Sequence, residues 1–195
     1  MAAAGAVVAA LAAAPCPFAA AQPAGSDRAP AAQDRRGGSL QPLVRAAAER
    51  LRVADRVAAA KWLGGRPIAD PVREQQVLDS VARRARARGI DPAAARRIFT
   101  DQIEASKLVQ RALHERWAAH PEQAPTSPPA PDETRPAIDR IDARLLDAVG
   151  ASATARLHPS CTAREAVVAG GAAAEFRFDA VHRAGLVRAL RSVCG

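Results

Sequence analysis

Aromatic residues are nearly missing from this chain of 195 residues, which has four Phe, two Trp and no Tyr. Runs of β-branched residues are equally scarce, while alanine and arginine dominate, so the expected class is all-α. The shortage of rings also argues against nucleic-acid binding, because bases need flat side chains to stack on. Lysine is rarer still: of 28 Lys and Arg, only Lys61 and Lys107 are lysines. The net charge of +8 and pI near 11.0 therefore reflect a chain-wide arginine habit more than a dedicated surface for polyanions.

Most catalytic kits are absent as well. There is no Ser-His-Asp or Cys-His arrangement and no glycine-rich phosphate loop, which removes the parts for nucleophilic and phosphoryl chemistry. The histidines, His114, His120, His158 and His182, are scattered without ligand spacing, so no metal is expected. Cysteine is limited to Cys16, Cys161 and Cys194.

What is present begins with an apolar, alanine-rich segment, residues 1–21, ending in Ala19-Ala20-Ala21. This is the small-residue cleavage pattern of a secretory signal, although no Lys or Arg precedes its apolar core. It is too short, and too interrupted by Pro15 and Pro17, for a membrane anchor. Export to the periplasm or beyond is the expectation, with no membrane attachment after cleavage. Cys16 would leave with the signal, and Cys161 and Cys194 then form an even pair in an oxidising compartment. The disulfide they predict would stabilise the fold by about 3–4 kcal/mol in the chain-entropy account.

Residues 22–38 mix Pro, Gly and charge without period and read as a flexible leader. A helix is predicted from Ser39, as N-cap, to Leu63 before Gly64-Gly65. Two more open with Asp-Pro pairs, Asp70-Pro71 to about Arg88 and Asp91-Pro92 to about Ala119, and complete a core over residues 39–120. Residues 121–136 form a proline-rich connector, expected to be semi-extended. A C-terminal extension, residues 137–195, holds a fourth helix marked by Ile138, Ile141, Leu145 and Val149. A short fifth runs over Cys161–Ala169 and a sixth over Ala172–Val193, separated by Gly170-Gly171. The expected architecture is thus six helices in one domain.

Helical spacing then exposes a conflict. Leu43, Ala47, Arg50, Ala54, Val57 and Lys61 follow the spacing of a packed seam, as do Phe99, Ile103, Ser106, Gln110, Leu113 and Trp117. Arg50, Lys61, Ser106 and Gln110 thus stand where core residues belong, and Arg73 and Glu74 extend the apolar face of the second helix towards its N-terminus. Asp70 caps that end, so its carboxylate is expected to serve the scaffold while neighbouring amides stay free for an anion. Each residue alone reads as a snorkelling cation or a solvated amide. Together, unpaired polar groups facing one interior would oppose folding, and they suit a pocket for a small dicarboxylate.

In order, these residues are Arg50, Lys61 eleven positions on, PIAD ending at Asp70, Arg73-Glu74, and the Ser106/Gln110 pair, within residues 49–117. The set resembles the all-helical chorismate mutases, specifically the exported subclass with a C-terminal extension. The resemblance implies a unimolecular Claisen-type rearrangement of chorismate to prephenate, with no cofactor, in a homodimer. It further implies that Arg50 grips a carboxylate, and that Lys61 bonds a carboxylate and the breaking ether oxygen, to which Gln110 also donates. Glu74 and the backbone near Asp70 would hold the ring hydroxyl, with Arg73 and Ser106 around the ring carboxylate. Arg135, in ETRPAID, fits the further arginine that this subclass draws from beyond the connector. Two rival readings are an isochorismate pyruvate-lyase on the same scaffold and a non-catalytic basic binder using Arg83, Arg84, Arg86, Arg88, Arg96 and Arg97.

Overall fold

The computed structural model describes residues 1–2, 38–127 and 130–195, so the expected signal segment and leader lie almost wholly outside the described residues. Seven α-helices and no strand occur among the described residues: α1 Gln41–Leu63, α2 Pro71–Ala87, α3 Pro92–Ala119, α4 Pro131–Ala151, α5 Ala153–Arg156, α6 Cys161–Glu175 and α7 Ala180–Leu190. A single 3-10 turn, Pro121–Gln123, follows α3. None of these helices is long and apolar enough to cross a membrane.

Local chemistry explains the first three helices. Asp70 and Asp91 cap α2 and α3 by accepting the N–H of Arg73 and Ala93, with proline pre-set at the first helical position. Ser39 is not the N-cap of α1: Leu40 holds that place, and the Ser39 hydroxyl instead accepts the N–H of Gln41 at 3.2 Å. Arg50 bonds the carbonyl of Gln102, and His114 bonds that of Ala58, so α1 and α3 run in the same direction. Glu74 meets Lys107 and Asp79 meets Arg96, which makes α2 antiparallel to α3.

The C-terminal half departs from its sequence pattern in three places. The end of the expected strap is already helix, because Pro131 starts α4 and Pro136 is accommodated inside it. Pro131 stands at the first helical position, where a missing N–H forfeits nothing, whereas Pro136 lies inside the helix and gives up one intrahelical bond. Gly170-Gly171 does not divide two helices: α6 runs through both to Glu175, and both face open space. Finally, a short α5 follows α4, so the described helices number seven where the sequence pattern predicts six.

The true break after α6 is a Schellman-type closure. Phe178 N–H bonds the carbonyl of Ala173 at 2.9 Å and Arg177 N–H that of Ala174 at 3.1 Å, with Arg177 at φ 53°. A left-handed residue with a side chain carries a strain of about 1–2 kcal/mol. Arg177→Gly should therefore raise stability by about 0.5–1 kcal/mol, read as a higher urea midpoint with unchanged slope.

Packing then joins the halves. Helix α7 enters the groove between α1 and α3, and a Cβ at Gly185 would stand 3.0 Å from both Leu51 and Val109, so any larger residue would need those side chains to give way. The predicted disulfide is present: Cys161 at the start of α6 is bonded to Cys194 beyond α7, with Cα atoms 5.7 Å apart. Helix α4 packs along α1, placing Leu145, Leu146 and Val149 in the common core.

His182 fastens α7 to α1. Its Nδ1 lies 2.7 Å from Asp179 and its Nε2 2.8 Å from Asp55, while Arg116 of α3 approaches Asp179 at 3.8 Å. Two carboxylate partners require both ring nitrogens to carry protons, which only imidazolium provides. The bond to Asp55 chiefly raises the His182 pKa above its ordinary 6.5, burial opposing it and Asp179 adding to it. A raised folded-state pKa contributes stability that is complete below the unfolded value and lost as pH rises through the folded one. The stability advantage of wild type over His182→Asn should accordingly shrink as pH climbs from below 6.5, as measured by urea unfolding across that range.

Candidate active site

The polar interruptions predicted in α1 and α3 are real, and they fall into two groups. In the first, near the C-terminal end of α1, Lys61 reaches back to the carbonyl of Ile68 at 2.5 Å, in the loop that leads to α2. Burial lowers its pKa below the ordinary lysine value; Asp70 and Glu74 oppose that shift, and Arg66 and Lys107 add to it. Asp70, Glu74 and Lys107 thus all act on the Lys61 ammonium.

Glu74 is held at both oxygens. One accepts the N–H of Asp70 at 3.2 Å and the other the Lys107 ammonium at 3.0 Å. Asp70 plays the scaffold part expected of it, but three of the amides around it are taken. The N–H of Arg73 bonds its carboxylate, that of Glu74 its carbonyl, and its own N–H bonds Glu74. The protein's own cap therefore takes much of the anion cradle foreseen at this helix start. The Arg73 side chain is exposed, its recorded partner being Gln76 at 3.5 Å.

On α3, Ser106, Lys107 and Gln110 lie within one turn of each other. The Gln110 amide nitrogen donates to the Ser106 hydroxyl at 2.9 Å, and its oxygen is buried without a partner. Gln110 is only 3% exposed, so an unpaired amide oxygen there is costly. Rotating the amide by half a turn lets Ser106 donate to the oxygen and frees the NH2 group, an assignment set by whatever fills the site.

Arg50 belongs to the second group. Its guanidinium bonds Asp142 of α4 at 2.8 Å and the Gln102 carbonyl at 3.1 Å, the two side chains being 12% and 9% exposed. Arg135 is exposed on the early part of α4, with no bond to the other expected site residues among the described residues. The structure thus brings together Lys61, Asp70 and Glu74, joins Ser106 to Gln110, and leaves the side chains of Arg50, Arg73 and Arg135 outside those contacts.

Three polar residues escaped the sequence reading. Lys107 sits one position off the Ser106/Gln110 seam, and its only signal was the rarity of lysine. Asp101 is buried across α3 from that seam and bonds Arg188, and Gln102, buried one turn before Ser106 at the seam's flank, bonds the Ala189 carbonyl at 2.9 Å. Among the described residues no cluster of His, Cys, Asp or Glu has the makings of a metal site. An open depression of about 520 Å³ lies elsewhere, between α2 and α3, lined by Arg83, Arg86, Arg96 and Asp79 over Ala82 and Ala93. Arg96 is already committed there to Asp79 and Gln75, and none of the expected site residues reaches it.

Known proteins resemble this chain in sequence and fold. Residues 41–111, from α1 through most of α3, match the family model described as chorismate mutase type II. A secreted chorismate mutase of Mycobacterium tuberculosis is 36% identical over 155 residues, spanning 80% of this chain and 78% of that protein. A crystal structure of a chorismate mutase from Burkholderia phymatum superimposes with a TM-score of 0.77 at 36% identity, covering 85% of this chain and 99% of the other. One from Burkholderia thailandensis gives 0.74 at 40% identity, covering 80% and 98%. That identity, sustained over most of both chains, places this protein in the chorismate mutase family.

Proposed function

We propose that this chain is an exported chorismate mutase that converts chorismate to prephenate without cofactor or covalent intermediate. The observation that carries the reading is the buried Gln110 amide with an unpartnered oxygen, one turn from Ser106 on the helix that also faces the half-buried Lys61. An unsatisfied buried amide calls for an explanation, and a ligand that turns it over towards Ser106 supplies one.

The chemistry asks little of the protein. In a pericyclic step one C–O bond breaks as one C–C bond forms within a single molecule, so catalysis consists of holding a compact conformer and stabilising charge that gathers on the ether oxygen. Lys61 and the freed NH2 group of Gln110 are the donors for that oxygen. Arg50, through the edge of its guanidinium not bound to Asp142, Arg73 and Arg135 are the candidates for the two carboxylates, with Ser106 beside the ring. Glu74 takes the ring hydroxyl through lone pairs left over from Asp70 and Lys107.

Export is supported by the names of two relatives as secreted enzymes and by the Cys161–Cys194 disulfide. A homodimer, which the family resemblance implies, is read by light scattering on the purified chain. The activity is tested by NMR of the product mixture with chorismate and with isochorismate in parallel. Prephenate from the first and no pyruvate from the second is the expected result; pyruvate release from isochorismate alone would make the protein a lyase.

A further inference from the structure

In a chain that otherwise takes its side-chain positive charge from arginine, the only two lysines stand close enough to act on each other. Lys61 rests on the carbonyl of Ile68, between α1 and α2. Lys107 lies on α3, its side chain 12% exposed, 3.0 Å from Glu74 of α2 and 2.6 Å from Glu104 of its own helix. The second oxygen of Glu74 holds the N–H of Asp70, two residues beyond Ile68. Lys107 and Lys61 are therefore linked through Glu74, the Asp70 N–H that it accepts, and the short backbone stretch from Asp70 back to the Ile68 carbonyl that receives Lys61.

We propose that Lys107 is a positioning residue of the active site, clamping Glu74 so that this carboxylate anchors the loop before α2 and fixes the direction from which Lys61 meets the substrate. The inference rests on the chorismate reading above for the reaction it serves. The clamp also separates two acids. Without Lys107, Glu74 and Glu104 would share one side of α3 with no cation between them, and Glu74 would be drawn towards Lys61, the remaining ammonium in reach.

The groups that act on Lys61 are Asp70 and Glu74 from α2, Arg66 from the loop and Lys107 from α3; those on Lys107 are Glu74, Glu104 and Lys61. Removing the Lys107 charge takes away a cation that holds the Lys61 pKa down and turns Glu74, which raises it, fully towards Lys61. Both changes have the same sign. A residue that merely supported packing would alter neither.

The test uses the full chain, with the lysine ε-carbons labelled with 13C, in wild type, Lys107→Met and Lys107→Arg. Wild type gives two lysine signals and each variant one, so the Lys61 titration is read without assignment. Lys107→Met should move that titration to higher pH and lower kcat/KM for chorismate by roughly ten- to a hundredfold, the alkaline limb of its pH–rate profile moving up in parallel. Lys107→Arg, which keeps the charge, should restore the titration and most of the rate. An unmoved Lys61 titration in Lys107→Met overturns the proposal whatever the substrate, as does undiminished kcat/KM. Wild-type protein that leaves chorismate untouched while the titration moves as expected overturns the chorismate reading and leaves the clamp standing.

Discussion

Replacing Lys61 with alanine is expected to slow chorismate turnover by about a hundred- to a thousandfold while the helical fold survives, the usual loss when one donor to a developing oxyanion is removed. Lys61 lies at the end of α1 and is only half-buried, so its loss opens no core cavity. On the proposed assignment, what disappears is the positive charge that meets the oxygen on which the transition state concentrates charge. Initial rates alongside circular dichroism check this, and unaltered turnover in Lys61→Ala would refute the assignment. The same residue sets an alkaline limit. Burial lowers its pKa below the ordinary 10.5, and only the charged form stabilises the oxygen, so wild-type rates should fall with rising pH before 10.5 is reached.

Arg50→Ala should unfold more easily by about 3–5 kcal/mol and lose activity as well, because it leaves Asp142 as an uncompensated buried charge. These two effects are separable. In Arg50→Met/Asp142→Leu the ion pair gives way to apolar contact of similar volume, which should return most of the stability. If Arg50 also grips a substrate carboxylate, the double variant stays slow, with a raised KM. Urea midpoints and steady-state kinetics on the three proteins decide it: recovery of both stability and rate would make Arg50 purely structural.

The contrast between Arg50 and the helix caps shows what the sequence could disclose. Asp70-Pro71 and Asp91-Pro92 are local signals, complete within four residues, and α2 and α3 start where those signals stand. Asp142 is 92 residues from Arg50, and no periodicity within α1 points to it. Gly170-Gly171 misled because a glycine pair is read as a break on intrinsic preference. On α6, Cys161 is pinned to Cys194 and Ala172 and Ala173 are buried, so tertiary contacts override a penalty of about 1 kcal/mol per glycine. The connector was misjudged at its end for a related reason: Pro131 suits a first helical position, and α4 carries Pro136 in its interior despite the bond it forfeits.

The site was legible only on one face of each helix. A single seam through α3 finds Ser106 and Gln110, but α3 is buried on two sides, by α1 and α2 and by α7, and the second side hides Asp101 and Gln102 from a one-stripe reading. Lys107 lies next to the seam and so reads as solvent-facing, although its ammonium turns inward to two carboxylates. Long flexible side chains decouple where a residue is placed on a helix from where its charge sits.

A crystal structure of the full chain with a bicyclic dicarboxylate mimic of the rearrangement transition state tests the central claim most directly. The expected result places the ether oxygen of the ligand within hydrogen-bond reach of Lys61 Nζ and the Gln110 amide nitrogen, with Lys61 released from the Ile68 carbonyl. A ligand seated instead in the arginine-lined depression at Arg83 and Arg86, with Lys61 still on Ile68 and the Gln110 oxygen still unpartnered, would contradict it.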